Sequence, residues 1–289
     1  MEHVLVTGSN GLVGFRVAEC LAAQGVAVRG FDLHPAPVRA PFASRVGSLA
    51  DRAAVTAALH GCDAVVHAGA VSGPMLLRDD PYAVAEANLG GALTVFEAAC
   101  RAGVRRLVWT SAIVLRLSAV YGRRRRTQCT LRDIILAARA GRPAVVAAPG
   151  TSHRQFLHVE DAAAAVLLAL AAPAGHRFAC NITGGTWLPE AEIAGMIGEV
   201  LPGLVVAHGP EAWNEGHPGP LVLDAARRDL GYTPRVALRD GLAELAAYLT
   251  AGAGPATDGS ARSIAGGGRR CAQLRPVVRT SGEGRTGPA

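Results

Sequence analysis

Val4, Leu5 and Val6 form a short apolar run between polar neighbours, the pattern of a strand buried on both faces. From Leu12 the spacing turns helical: Val13, Val17, Cys20 and Leu21 share one face, and Gly25 supplies the stop. The alternation then repeats. Val26 to Phe31 reads as a second strand ended by Asp32, and a short third strand lies near Arg45–Val46. Asp51 caps a helix running to about Leu59, and Ala64-Val65-Val66-His67 is the fourth strand. Tyr82 to Cys100 reads as one long helix ended by Gly103, and Leu107 to Ser111 as the fifth strand. Strands alternating with helices of this length predict an α/β chain with a doubly wound parallel sheet.

Between the first strand and the first helix lies Thr7-Gly8-Ser9-Asn10-Gly11-Leu12-Val13-Gly14. Strand, glycine turn and helix together make the phosphate-binding opening of a Rossmann-type dinucleotide fold. Gly8 permits the tight turn, Gly11 lets backbone approach a pyrophosphate, and Gly14 lets helix pack on strand. The free N–H groups at the helix start, around Leu12 and Val13, suit phosphate. Asp32 follows Gly14 by 18 residues, where an acidic residue holds ribose hydroxyls. Its carboxylate repels a 2′-phosphate and so favours NAD over NADP; otherwise it simply caps a loop. Arg29 and Arg39 nearby soften that preference. The small residues Ala68, Gly69 and Ala70 after the fourth strand let a cofactor lie against backbone. His67 reads either as an acid/base group or as a histidine packed at a strand end.

Composition narrows the choice of partners. The 289 residues are half hydrophobic with a formal charge of +6, yet residues 251–289 carry about +4 of it. The Arg123 to Arg126 run has no interleaved aromatics, so it reads as a solvated or phosphate-facing loop and not as a nucleic-acid site. The six cysteines are scattered without metal-like spacing, and no signal-peptide pattern precedes the first strand, so a reduced cytoplasm is expected. The longest apolar run, Ala162 to Ala174, is too short for a bilayer and reads as a buried helix. No metal site and no membrane association are expected. Residues 251–289 lose all apolar period and read as a disordered tail.

T-G-S-N-G-L-V-G, Asp32, D-A-V-V-H-A-G-A, N-L-G-G-A and L-V-W-T-S resemble an extended short-chain dehydrogenase/reductase, more narrowly the NAD-dependent epimerase/dehydratase family. Leu115 to Gly122, Arg154 to Asp161, Asn181 to Gly185 and Asp224 to Pro234 continue the likeness in order over about residues 3–250. The resemblance implies an NAD-binding core over residues 1–122. It implies a C-terminal part over 123–250 that contributes to the core and to a small substrate lobe. Ser111 is then the residue that orients a substrate hydroxyl, Asn88 orders the active site through the central helix, and Arg154 contacts a substrate diphosphate. The substrate expected is a sugar or nucleotide sugar, with a sugar-acid dehydrogenase as the alternative within enzymes. The resemblance leaves room for a homodimer.

One family feature is missing. A helix carrying Y-x-x-x-K normally lies between the serine strand and the V-Y-G strand; here Ser111 is followed almost at once by Leu115. All 29 basic residues are arginine, so no lysine serves from elsewhere. Tyr121 with Arg125 mimics the spacing but belongs to the V-Y-G turn. The loss predicts impaired chemistry, or an NAD-binding module without turnover. With no crossover between them, Leu107 to Tyr121 are expected to form one long or bulged strand and not two parallel neighbours.

Overall fold

In the computed structural model, Val4 and Val6 face one core and Leu5 faces another, as the alternation of a strand requires. The structure describes residues 1–36, 39–71, 80–109, 114–125, 127, 129–146, 150–172, 179–209 and 219–251. The first half comprises β1 (His3–Thr7), α1 (Leu12–Ala23), β2 (Ala27–Asp32), β3 (Ala43–Val46), α2 (Arg52–Leu59) and β4 (Ala64–His67). It continues through α3 (Pro81–Ala85), a π-helical turn (Glu86–Gly90), α4 (Gly91–Arg101) and β5 (Arg106–Trp109). The five strands form one parallel sheet in the order β3-β2-β1-β4-β5, with Val4 opposite Val28 on one side and Ala64 on the other. The expected helix from Tyr82 to Cys100 is therefore interrupted by the π turn at Asn88, a distortion that recurs at functional sites.

The second half runs through β6 (Val114–Leu117), β7 (Ala119–Tyr121), α5 (Thr130–Arg139), β8 (Ala144–Val146), β9 (His153–Arg154), β10 (Phe156–His158) and α6 (Val159–Ala171). It ends with β11 (Ala179–Ile182), β12 (Leu188–Pro189), α7 (Glu190–Val200), β13 (Val206–His208), α8 (Asp224–Leu230) and α9 (Leu238–Thr250). Between Leu107 and Tyr121 the described residues divide at Ser118 into β6 and β7 in place of one unbroken strand, and residues 110–113 lie outside the described residues. The expected absence of two parallel neighbours agrees with the sheet order. β6 pairs in parallel with β11, with Leu117 opposite Ile182, and β7 pairs in parallel with β10, with Tyr121 opposite His158. The chain breaks at Ser118, whose N–H donates to the Ile182 carbonyl. The reason is long-range: the C-terminal half supplies two new partner strands. β5 and β6 are not hydrogen-bonded neighbours, so no crossover between them is needed.

Helices cover both sheet faces. α1 and α6 lie on one, with Val17, Leu21, Ala163 and Leu167 packed on Val4, Val66 and Val108; α2 and α4 lie on the other, with Leu59 and Val95 against Leu5 and Val65. Ten residues of α6 are buried, as its alanine-rich run predicts, and Arg16 of α1 is tied to Glu160 of α6 at 2.7 Å. A further cluster joins Tyr121 of β7 to Ile135, Ile193 and Leu245 of α5, α7 and α9. Among the described residues no helix is long and apolar enough to cross a membrane, and no group of three metal-ligating side chains gathers.

Candidate functional site

The turn after β1 is shaped by what glycine lacks. Gly8 has φ +65°, and a Cβ there would stand 2.6 Å from the Ala68 carbonyl and the Gly69 nitrogen. A Cβ on Gly14 would lie 2.1 Å from the Gly8 oxygen. Both contacts are with backbone, so neither can be relieved by a rotamer change. Gly11 is the N-cap of α1; no side chain caps the helix, and its first turn holds no acidic residue. The positive end of α1 and the first-turn N–H groups of Leu12 and Val13 are thus presented outward, beside the end of β4. That end is Ala68-Gly69-Ala70, where a Cβ on Gly69 would come within 3.2 Å of the Gly8 nitrogen.

Asp32 ends β2 beside this turn. Its Oδ2 accepts from the Asn10 N–H at 2.9 Å and its Oδ1 from the His34 N–H at 3.0 Å. A carboxylate has about four lone-pair sites, so acceptor capacity remains. The Asn10 amide is nearly buried and donates to the His34 carbonyl at 2.6 Å and the Ser44 hydroxyl at 3.3 Å. Asn10 therefore serves the site by holding Asp32 and the loop after β2. Arg29 turns away, its guanidinium donating to the carbonyls of Ala58 and His60 at the end of α2, while Arg39 is exposed.

His67 is 2% exposed and bonds Thr7 Oγ1 through Nδ1 at 2.6 Å. Burial pushes its pKa down to about 4, so the ring is neutral and packed at the strand end. Asn88, in the π turn, accepts from the Val71 N–H at 2.7 Å and returns an N–H to the Val71 carbonyl at 3.0 Å. This pair of bonds ties the chain beyond β4 to the helix. Ser111 lies outside the described residues, as does the tail from residue 252.

Two expectations are corrected or narrowed by the arginines. Arg123 pairs with Glu244 at 3.0 Å, Arg124 pairs with Glu19 and stacks 3.9 Å from the Phe15 ring centre, and Arg125 donates to the Val120 carbonyl. Each has a partner within the fold while Arg123 and Arg124 keep 36% of their side-chain surface exposed; Arg126 lies outside the described residues. Arg154 donates through Nε to Glu190 Oε1 at 2.7 Å, across the antiparallel β9–β12 pair. Beside it, Trp187 stacks on His153 with ring centres 5.5 Å apart.

Glu190 was not legible as a site residue, because its partner lies 36 positions away and only its place at a helix start marks it. Asp161 reads from sequence as a dipole-complementing acid. In the fold it is buried, and its two oxygens accept from the N–H groups of Arg235 and Val236, locking the loop before α9.

The four tyrosines are all among the described residues. Tyr121 is 1% exposed with its ring against Phe156 and His158, and burial, with the charge of Asp161, raises its pKa far above the ordinary value. Tyr232 is buried and donates to the Thr183 carbonyl, with its pKa raised by burial. Tyr248 packs on the cluster of α5, α7 and α9, and Tyr82 on α3 is exposed to solvent.

A family model described as the NAD dependent epimerase/dehydratase family matches residues 4–112 and 109–182, two stretches that meet at 109–112. A 3 beta-hydroxysteroid dehydrogenase/Delta 5-->4-isomerase of Mycobacterium tuberculosis is 33% identical over 121 residues, which cover 39% of this chain and 32% of that protein. Uronate dehydrogenase of Pseudomonas putida is 32% identical over 113 residues, 38% of this chain and 41% of the relative. The matched stretch thus spans about a third of the length of such curated relatives. Among solved structures, MoeE5 in complex with UDP-glucuronic acid and NAD superposes with a TM-score of 0.78 at 24% identity, covering 86% of this chain and 99% of that one. At that identity the likeness establishes the fold.

Proposed function

The chain belongs to the NAD dependent epimerase/dehydratase family, and from that premise we propose that it binds NAD at the β1–α1 turn and acts on a sugar or nucleotide-sugar hydroxyl with impaired turnover. The observation that carries the binding half is the glycine cradle. Gly8 and Gly14 leave no room for a Cβ, and the N-terminus of α1 is left without a side-chain cap or acidic neighbour. A pyrophosphate suits that helix end in charge and in hydrogen-bonding capacity. Asp32, held by Asn10, is the ribose anchor, and Ala68, Gly69 and Ala70 form the floor. Asn88 orders the segment beyond that floor. Arg29 is committed to carbonyls at the end of α2, which supports NAD over NADP.

When bound, NAD supplies the hydride acceptor. The chain's own residues must then hold the substrate hydroxyl and take its proton. Ser111 is assigned the first task and Arg154 contact with the rest of the substrate. For the second task the family's tyrosine–lysine pair has no counterpart in the motif: the sequence contains no lysine, and Tyr121 and Tyr232 are buried in the core. The seam between the two matched stretches at 109–112 supports loss of the intervening segment. A positioned proton-transfer group is typically worth about 10²–10⁴-fold in rate. The same absence favours a second reading, an NAD-binding module without turnover.

Calorimetric titration with NAD and NADP, beside an assay of NADH release with UDP-glucose and free sugar acids, tests both halves. NAD affinity with turnover far below the ordinary range of about 1–10³ per second is expected. A folded protein without NAD affinity would overturn the binding assignment; ordinary turnover would overturn the impairment.

A further inference from the structure

Glu190 is 6% exposed and stands at the first position of α7, where its backbone N–H donates to Ser152. Its Oε1 accepts from Arg154 Nε at 2.7 Å, while its Oε2 is buried without a hydrogen-bond partner. The Arg154 side chain is 32% exposed, while its carboxylate partner is buried. A buried acceptor left without a donor is costly, and here it keeps an unshared carboxylate charge beside the guanidinium, where its field opposes anions.

We propose that Glu190 is a specificity-determining residue that compensates the charge of Arg154 and turns this site from diphosphates toward uncharged hydroxyl groups. The inference deepens the proposed function and rests on its assignment of Arg154 to substrate contact. An uncompensated guanidinium presents a planar fork to a diphosphate. Here the fork arrives paired, and a polyanion at Arg154 also meets the field of a carboxylate held in a medium of low polarity. A sugar hydroxyl meets no such conflict: it accepts from the guanidinium and carries no charge for the buried carboxylate to repel.

The test is calorimetric titration of the full chain with UDP, with and without saturating NAD. Glu190→Gln keeps the shape of the side chain and an acceptor for Arg154 while removing its charge. It is expected to bind UDP about tenfold tighter or more, with the gain abolished in the Arg154→Gln/Glu190→Gln double variant. Arg154→Gln alone is expected to change UDP affinity of the wild-type chain by less than about twofold, because the compensated cation contributes little. No gain from Glu190→Gln in a cooperatively folding protein would overturn the proposal. Should that variant not fold, a tenfold loss of UDP affinity from Arg154→Gln alone would overturn it equally. Absence of NAD affinity would count against the cofactor assignment, while the titrations without NAD still decide the role of Glu190.

Discussion

His67 provides a quantitative test of whether the histidine at the end of β4 is a structural group. The perturbation is pH, with His67→Asn as the reference, since asparagine keeps a polar atom near Nδ1 for Thr7. The buried ring titrates at about 4 against an ordinary value of 6.5. Between those values the unfolded chain binds a proton that the folded chain refuses, so stability rises with pH across the window and is lost as pH falls through it. The gap corresponds to about 3 kcal/mol in full and about 2–3 kcal/mol by pH 4.5, with little solvent discount at 2% exposure. Asp63 does not interfere in this window. Bonded by the N–H groups of Glu2 and His3 and by Arg105, it titrates near 2, and its stabilisation is lost only at lower pH. Urea unfolding of both proteins at pH 7.5 and 4.5 should show the wild type losing about 2–3 kcal/mol more than His67→Asn. Parallel stability curves for the two proteins would refute the reasoning, because His67 would then be accessible to protons and available for acid/base work.

Gly14→Ala should lower NAD affinity about tenfold or more and destabilise by about 1–3 kcal/mol, since its Cβ meets the Gly8 carbonyl at 2.1 Å. Gly25→Ala, with φ +79° and open space around it, should cost only about 1–2 kcal/mol and leave NAD binding unchanged by calorimetry. Asn88→Ala should remove both bonds to Val71, costing about 1–3 kcal/mol and speeding exchange of the Val71 amide. Amides in β6 and β7, each paired with a single strand, should exchange faster than those of Val4 to Val6 inside the five-stranded sheet; equal protection would contradict this.

What the sequence determined by itself is local. A buried strand, a glycine turn and an amphipathic helix are encoded within about twenty residues, so the Gly8–Gly14 cradle, Asp32 at the end of β2 and the Asp51 cap could be read without coordinates. The absence of lysine is likewise a fact of sequence. Tertiary structure decided what depends on partners far along the chain. Periodicity marks Leu115 and Val120 as strand residues but cannot say that β11 and β10 pair with them, nor that the run divides at Ser118. Asp161 and Glu160 both suit a helix start, yet only the fold sends one to the backbone of Arg235 and Val236 and the other to Arg16. The Arg123–Arg125 run looks solvated until Glu244, Glu19 and Phe15 are brought against it. His67 and Tyr121 carry groups capable of proton transfer, and burial silences both. Arg154 illustrates the division most directly: residue type and motif place a cation there, but only the fold brings Glu190, 36 residues away, against it. Charge compensation and desolvation are properties of neighbours in space, and a linear pattern carries no record of them.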